Sequence, residues 1–400
     1  GSEETIILSF GHTTEIVEAE SLIDGIFSAA FVIDTQSFGS TTITAVGQTT
    51  NLSSEIDFKI EPELVSVVPT RGTVGSSITI SCTGYGAEEA VEVSFGNVES
   101  IATGIAGIDG TLTVVFTIDT QDYATKSVKA TGITTQQAAD NTFYITPELV
   151  SVVPTQGTVG SSVTITGTGY GAGETVWVDF GKTMSITMGE AGENGVFTAV
   201  FTVDTQRYAV QTVVATGQLT QHAASNTFYI IPELVSVTPG FGTVGSFVTV
   251  SGSGYGASET VKIGFGKTAS IVNSRTGSEG TFTTVFTVNT QEYGTKTVMA
   301  TGVATNHAAN NTFCIITNII SVTPSTGTVG RSVTVKGSGY GSGEVVLIDF
   351  GKTISISSGT ANTNGTWTIV FTVDTQSYAT KSIKATGVVT QYAAVNNTFY

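Results

Sequence analysis

The sequence predicts an all-β protein, a tandem array of immunoglobulin-like β-sandwich domains with an 85-residue repeat and about seven strands in each. Three observations predict it. Asp-Thr-Gln recurs at Asp34, Asp119, Asp204 and Asp374, with Asn289 in the remaining copy, and each step is 85 residues (119 − 34, 204 − 119, 289 − 204, 374 − 289). Apolar side chains alternate with a period of two, and no window carries the i, i+3, i+4 stripe of a helix. Turn-forming Gly, Pro and Asn fall between the short apolar runs. The period divides the chain into residues 1–62, 63–147, 148–232, 233–317 and 318–400.

Residues 63–147 show how each element is specified. Leu64 to Val68 forms a first strand stopped by Pro69, and Gly72 to Gly75 turns the chain into a second, Ser77 to Thr83, with Ile78, Ile80 and Cys82 on one face. After Gly84-Tyr85-Gly86, a third strand points Val91, Val93 and Phe95 inward, and a weaker one follows near Glu99 to Thr103. The most regular is Thr111 to Ile118, with Leu112, Val114, Phe116 and Ile118 inward. The turn Asp119-Thr120-Gln121-Asp122-Tyr123 leads to Ser127 to Thr131 and, after a polar loop, to Asn141 to Ile145, with Phe143 and Ile145 inward. Seven strands of this kind make two sheets, and Phe95 and Phe116 meet between them.

The motif PxxVSVxPxxGTVGSxVTxxGxGYGxxE, followed by VxxxFG and GxFTxxFTVDTQ, resembles the IPT/TIG-like and other immunoglobulin-like repeats of large prokaryotic cell-surface proteins. The resemblance covers all four full repeats and the first from its third strand onward. It implies the sandwich fold and an extracellular stalk, adhesin shaft or filament subunit. Asp119 and Tyr123 also have the D-x-x-x-Y spacing of a tyrosine corner, in which the hydroxyl pins the turn before the next strand.

Gly1 aligns with Gly86 (86 − 1 = 85), so residues 1–62 are an incomplete domain lacking its first two strands. Such a domain exposes a strand edge and the inner face of its remaining sheet. Two explanations stand: a window cut from a longer tandem chain, or strands supplied in trans by a neighbouring subunit.

Composition narrows the function. Formal charge is −17 with pI near 4.4, which opposes nucleic acid and anionic membrane as partners. Only 12% of residues are charged, about half the usual share, so strand faces are neutral and hydroxylated and can pack against other copies with little desolvation of charge. No run reaches the roughly 18 to 20 apolar residues of a membrane span, so no direct membrane insertion is expected in this segment. Thr113, Val115 and Thr117, with Thr198, Val200, Thr202 and their later counterparts, form an outward Thr/Val stripe. It reflects either β-propensity alone or a lateral contact between chains.

Candidate sites are few. The joints contain almost no linker, which predicts a stiff array roughly 150–200 Å long from strand length. Carboxylates recur at these joints: Asp34, Glu63 and Glu89; Asp119, Glu148 and Glu174; Asp204, Glu233 and Glu259. Oxygen ligands gathered there are candidates for an interdomain calcium, the one cofactor considered. The competing reading is that each Asp caps its own turn and each Glu binds backbone amides. Asn289 and Asn318 replace two acids at the last joint, where calcium is expected to be weakest.

Asn51, Asn310, Asn364 and Asn396 begin N-x-S/T sequons and are glycosylation candidates. GxGYG leads from strand to strand, with no helix N-terminus to hold a phosphate. The three histidines, His12, His222 and His307, read as single exterior or loop residues that share no spacing with each other or with a nucleophile, so no catalytic residues and no enzyme are expected. Cys82 replaces Gly167, Gly252 and Gly337 on an inner face, whereas Cys314 takes the outward place of Tyr144 and Tyr229. The expectation is a non-enzymatic, self-associating structural protein of the cell surface, a filament, stalk or S-layer-type element. The alternative is an adhesin shaft or carbohydrate-binding surface protein with a glycan ligand.

Overall fold

The computed structural model describes residues 1–400, apart from the side chain at 397. Every regular element among the described residues is a strand. The chain falls into two compact units, one of Gly1–Val153, Thr164–Phe201 and Thr212–Asn226, the other of Pro154–Val163, Thr202–Gln211 and Thr227–Tyr400.

In the first unit, residues 1–62 carry β1 (Thr5–Phe10), β2 (Thr13–Glu20), β3 (Gly39–Gly47) and β4 (Ser53–Ile60), which form one antiparallel sheet of order β2-β1-β3-β4. Residues 63–147 carry β5 (Glu63–Val68), β6 (Arg71–Gly72), β7 (Ser77–Thr83), β8 (Ala90–Phe95), β9 (Val98–Ile105), β10 (Leu112–Thr117), β11 (Thr125–Gly132) and β12 (Ala138–Ile145). They make two sheets, β10-β7-β5 and β6-β12-β11-β8-β9. This is the immunoglobulin-like sandwich that the period-two alternation predicts. Inward side chains of both sheets close one core, in which Phe95 lies 5.7 Å from Phe116 and 5.8 Å from Phe143, ring centre to ring centre.

β11 begins at Thr125 and β12 at Ala138, earlier than the sequence expectation of Ser127 and Asn141, and two further differences have local causes. The weak strand near Glu99 to Thr103 extends over Val98–Ile105, because it pairs along the whole length of β8. The Gly72 turn also contains β6, whose two residues run parallel to Tyr144 and Ile145 of β12. A two-residue bridge has no alternation by which a sequence could announce it.

Residues 1–62 show what the sandwich needs. Residues 27–33 are the counterparts of Leu112–Ile118 (112 − 27 = 85), yet they form no strand. In the complete repeat β10 is an edge strand whose ladder partner is β7, and no strand of residues 1–62 pairs with residues 27–33 in that way. Phe31 still packs on Phe10, 5.8 Å away, so the segment covers part of the sheet. The remainder stays open: Phe58 is 37% exposed against 1% for Phe143, and Ile33 44% against 2% for Ile118.

Within the first unit, the pairing of Glu148–Val153 to residues 164–168 repeats that of β5 to β7, and Thr175–Phe180 lies between Thr183–Glu190 and residues 213–217. In the second unit, residues 233–317 repeat the whole two-sheet pattern. Residues 318–400 repeat it with a four-stranded second sheet, and Tyr400 N–H donates to Ser325 O (3.1 Å) where β12 meets β6 in the earlier repeat.

The cores compensate volume across the β7–β10 ladder. Leu112 faces Cys82, whereas Phe282 faces Gly252 and Trp367 faces Gly337. A Cβ on Gly252 would meet the Phe282 ring, and one on Gly337 the Trp367 indole. The small residue therefore makes room for the large ring, and Cys82 fills the space that Leu112 leaves. Burial pushes the Cys82 thiol up to about 11, which keeps it protonated and inert.

Cys82→Gly should destabilise residues 63–147 by about 2 kcal/mol, and adding Leu112→Phe should recover most of the loss; denaturant titration of the single and double variants checks the coupling. Fusing a second copy of residues 63–85 ahead of Gly1 should give residues 27–33 a ladder partner. The amides of residues 27–33 should then gain hydrogen-exchange protection, and exchange as fast as before would contradict the account.

Candidate functional site at the repeat joints

The side chains that recur at every 85-residue step converge on the joints, and the Gly-Tyr-Gly turn after β7 organises them. The Tyr85, Tyr170, Tyr255 and Tyr340 rings are fully buried. Each hydroxyl donates to a backbone carbonyl of the strand equivalent to β11: Ala130 O at 2.8 Å, Ala215 O at 3.1 Å, Ala300 O at 3.2 Å and Ala385 O at 2.9 Å. Burial raises the pKa of all four phenols, so they stay neutral donors.

With the ring fixed, the same residue's carbonyl faces the preceding repeat. Phe38 N–H donates to Tyr85 O (2.8 Å) and Tyr123 N–H to Tyr170 O (2.8 Å) in the first unit; Tyr208 N–H donates to Tyr255 O (2.8 Å) and Tyr293 N–H to Tyr340 O (3.0 Å) in the second. Beside each bond a left-handed glycine lets two backbones touch. A Cβ on Gly110 (φ 76°) would sit 2.8 Å from Ser37 Cα, and on Gly280 (φ 72°) 2.9 Å from Arg207 Cα. Only glycine fits there without parting the repeats.

The Asp-Thr-Gln turn that carries each donor is held by its own glutamine. Gln121 is buried; its amide donates to Phe95 O (3.0 Å) and Asp119 Oδ1 (2.7 Å), and its Oε1 accepts from Asn97 N–H (3.2 Å). Asp34 and Asp374 accept from Gln36 and Gln376 and also from the Thr13 and Thr353 hydroxyls. Asp204 accepts from Gln206. Asn289 does the same work without charge, accepting from Gln291 (2.8 Å) and donating to Thr268 Oγ1 (2.6 Å).

The predicted calcium trios do not form. Glu89, Glu174 and Glu259 point into their own repeats and are buried. Glu89 accepts from the Gly86, Thr134 and Thr135 amides at 2.8, 2.9 and 2.6 Å. Glu174 accepts from Gly171, Leu219 and Thr220, and Glu259 from Gly256, Ala304 and Thr305. Each carboxylate thus ties the turn after the buried Tyr to the β11–β12 type turn about 45 residues on. Glu4 and Glu344 make the equivalent ties. Glu63 is exposed, Glu148 and Glu233 are half-buried, and among the described residues no three His, Cys, Asp or Glu are grouped to hold a metal. Glu89, Glu174 and Glu259 bind backbone amides, as in the second of the two readings the sequence left open.

The tyrosine corner is also corrected. The Tyr123 ring lies 5.2 Å from Tyr144 and 4.8 Å from the His222 imidazole of the next repeat, and the pinning hydroxyl belongs to Tyr85. Tyr208, Tyr229 and His307 repeat this cluster, with hydrogen bonds linking Tyr208 Oη and each partner. At the following joint the place of the second Tyr is taken by Cys314 and that of His by Tyr392, which stacks on Tyr293 at 4.6 Å. Contrary to the sequence expectation, two of the histidines do share a spacing, since 307 − 222 = 85, and that repeat was the signal for them. Of the sequon residues, Asn51, Asn310 and Asn364 are exposed and Asn396 is half-buried in the last strand.

No family model matches the sequence, and neither does any curated protein. Among solved structures, invasin, a bacterial integrin-binding protein, is 16% identical over 86% of this chain and 79% of its own, with a TM-score of 0.23. The ICAM-5 D1–D4 ectodomain fragment is 15% identical over 85% of this chain and 98% of its own, with a TM-score of 0.24. The BSP domain of a biofilm-associated protein is 10% identical over 81% and 93%, with a TM-score of 0.17. Superpositions at these scores carry no argument about function, and the immunoglobulin-like fold rests on the strand order itself.

Gly280→Val should break the Tyr208-to-Tyr255 bond and open that joint to proteolysis. Gly25→Val, at the same turn (φ 82°) but with no atom nearer than 3.8 Å to the added Cβ, should leave every joint resistant. Burial raises the Glu344 carboxyl, but the Thr390, Gly341 and Val389 hydrogen bonds together outweigh it and leave the pKa lowered. Its contribution is therefore present above the unfolded value of about 4.3 and lost as pH falls through the folded value. Glu344→Gln should lower Tm at pH 7 and flatten the loss of Tm below about pH 4.5; an acid limb as steep as that of the parent protein would refute the tie.

Proposed function

We propose that the chain is a non-enzymatic structural protein of the cell surface, in which sandwich modules are coupled stiffly end to end as part of a filament, stalk or S-layer-type element. One observation carries this reading: the same joint, a backbone hydrogen bond beside a glycine contact, recurs from the same positions at each step of the repeat. A binding protein needs its recognition loops free, whereas here the turn at 119–123 and its counterparts are spent on the joints. Within this reading the IPT/TIG-like resemblance names the class of module.

Self-association follows from surface chemistry. Val115, Val200, Val285 and Val370 are exposed on the outer face of the β10-type edge strand, flanked by threonines. These uncharged rows allow lateral packing of copies with little desolvation of charge despite the net charge of −17.

A second reading, a glycan-binding shaft, is favoured by one cleft. Tyr378, Lys381 and Tyr400 line a cavity of about 800 Å³ in residues 318–400 above the buried Phe350 and Phe399, and the two exposed tyrosine rings beside polar groups suit a sugar.

Small-angle scattering at increasing concentration and negative-stain microscopy separate the readings. A stiff particle with a single persistent length, bundling as concentration rises, is the expected result. A flexible chain of modules would sink the scaffold reading, and glycan-array binding abolished by Tyr378→Ala would favour the second.

A further inference from the structure

The joint between residues 233–317 and 318–400 differs from the others in a way that suits covalent chemistry. Tyr293 and Tyr392 come from different repeats, and their rings are stacked, with centres 4.6 Å apart and planes 29° from parallel. The hydroxyls share a hydrogen bond, which is the main reason the Tyr293 phenol is pushed up to about 12, with burial and the neighbouring Tyr392 and Cys314 groups adding to it. The Tyr293 phenol is therefore neutral at physiological pH and loses an electron only as it gives up its proton. Tyr293 is half-buried, and Tyr392 is 53% exposed, so an oxidant in solution reaches the pair.

The other joint tyrosines are arranged differently. Tyr123 with Tyr144 and Tyr208 with Tyr229 meet edge to face, with planes at 78° and 83°, and each pair lies within one repeat. A bond formed there would join neighbouring strands and leave the joint as it was.

We propose that Tyr293 and Tyr392 form a site of oxidative tyrosine coupling, a dityrosine staple that locks one repeat to the next. The oxidant is a peroxide acting through a one-electron peroxidase. Each phenol loses one electron and its phenolic proton, and the two radicals join through their ortho carbons. The ortho hydrogens then return to the oxygens as the rings regain aromaticity. One peroxide is reduced to two waters, and the protein loses two hydrogens in all. With ring centres 4.6 Å apart, the stack holds the two radicals within reach of one another, as that bond requires. Cys314 stands where the other joints have Tyr144 and Tyr229, and its half-buried thiol can return a hydrogen atom to a phenoxyl radical. It therefore sets how much coupling survives. The inference does not depend on the scaffold reading, since the bond forms or fails whatever the chain supports.

The test treats the purified 400-residue chain with horseradish peroxidase and hydrogen peroxide at low protein concentration, in the parent sequence and in Cys314→Ser. Dityrosine fluorescence should appear in the monomer band, with higher yield in Cys314→Ser. Tryptic mapping should find residues 276–296 joined to residues 385–400, lighter by two hydrogens than the sum of the peptides. Tyr392→Phe should remove that product without lowering Tm by more than a few degrees. Coupling found only between chains, through exposed residues such as Tyr378, or only within the Tyr123–Tyr144 and Tyr208–Tyr229 pairs, overturns the proposal. So does a 276–296 to 385–400 product that persists in Tyr392→Phe.

Discussion

The pairing of β7 with β10 is the constraint on which the sandwich depends. β10 is an edge strand of a three-stranded sheet whose middle member is β7, so its backbone groups find ladder partners on that side. Residues 27–33 have the same apolar alternation as β10 and still form no strand where that partner is absent. Ala29 and Ala30 stand where β10 has Val114 and Val115, so a weaker strand propensity adds to the missing hydrogen bonding across the sheet. Everything built on the closed core follows: the buried Tyr85-type ring, the carbonyl it aims at the preceding repeat, and the joint.

The strands were legible in the sequence because one face of each is buried and a period of two cannot be mistaken for a helix. Val91, Val93 and Phe95 inward, and Leu112, Val114 and Phe116 opposite them, followed from alternation alone. The joint was less legible. Glu89 looks like a surface acid until the turn about 45 residues later brings two amides to it, and no local pattern announces a partner at that distance. The tyrosine anchor was misplaced for a related reason. Both Tyr85 and Tyr123 recur with the period, and only burial tells which ring is in the core and which lies between repeats.

The acidic residues illustrate how a repeated charge acquires a structural rather than a ligand-binding role. At the Asp-Thr-Gln turn the carboxylate orients an amide, a task that Asn289 performs equally well. At Glu89 and its counterparts charge strengthens the bonds, since a carboxylate accepting several amides holds them more firmly than a neutral group. The cost of burying that charge is offset by the amides of two turns, which then move as one piece.

The matched sizes of residues facing each other across the β7–β10 ladder bear on how neighbouring copies avoid being confused during synthesis. Near-identical tandem modules are prone to exchange strands before each has closed. If the strand bearing Cys82 were captured by the one bearing Trp367, sulfur and indole would compete for one space; the reverse exchange, Gly337 against Leu112, would leave a hole. Residues 63–147 therefore carry a steric label that separates their strands from those of the later repeats, where glycine faces an aromatic ring, and this gives that sequence difference between copies a role in correct assembly.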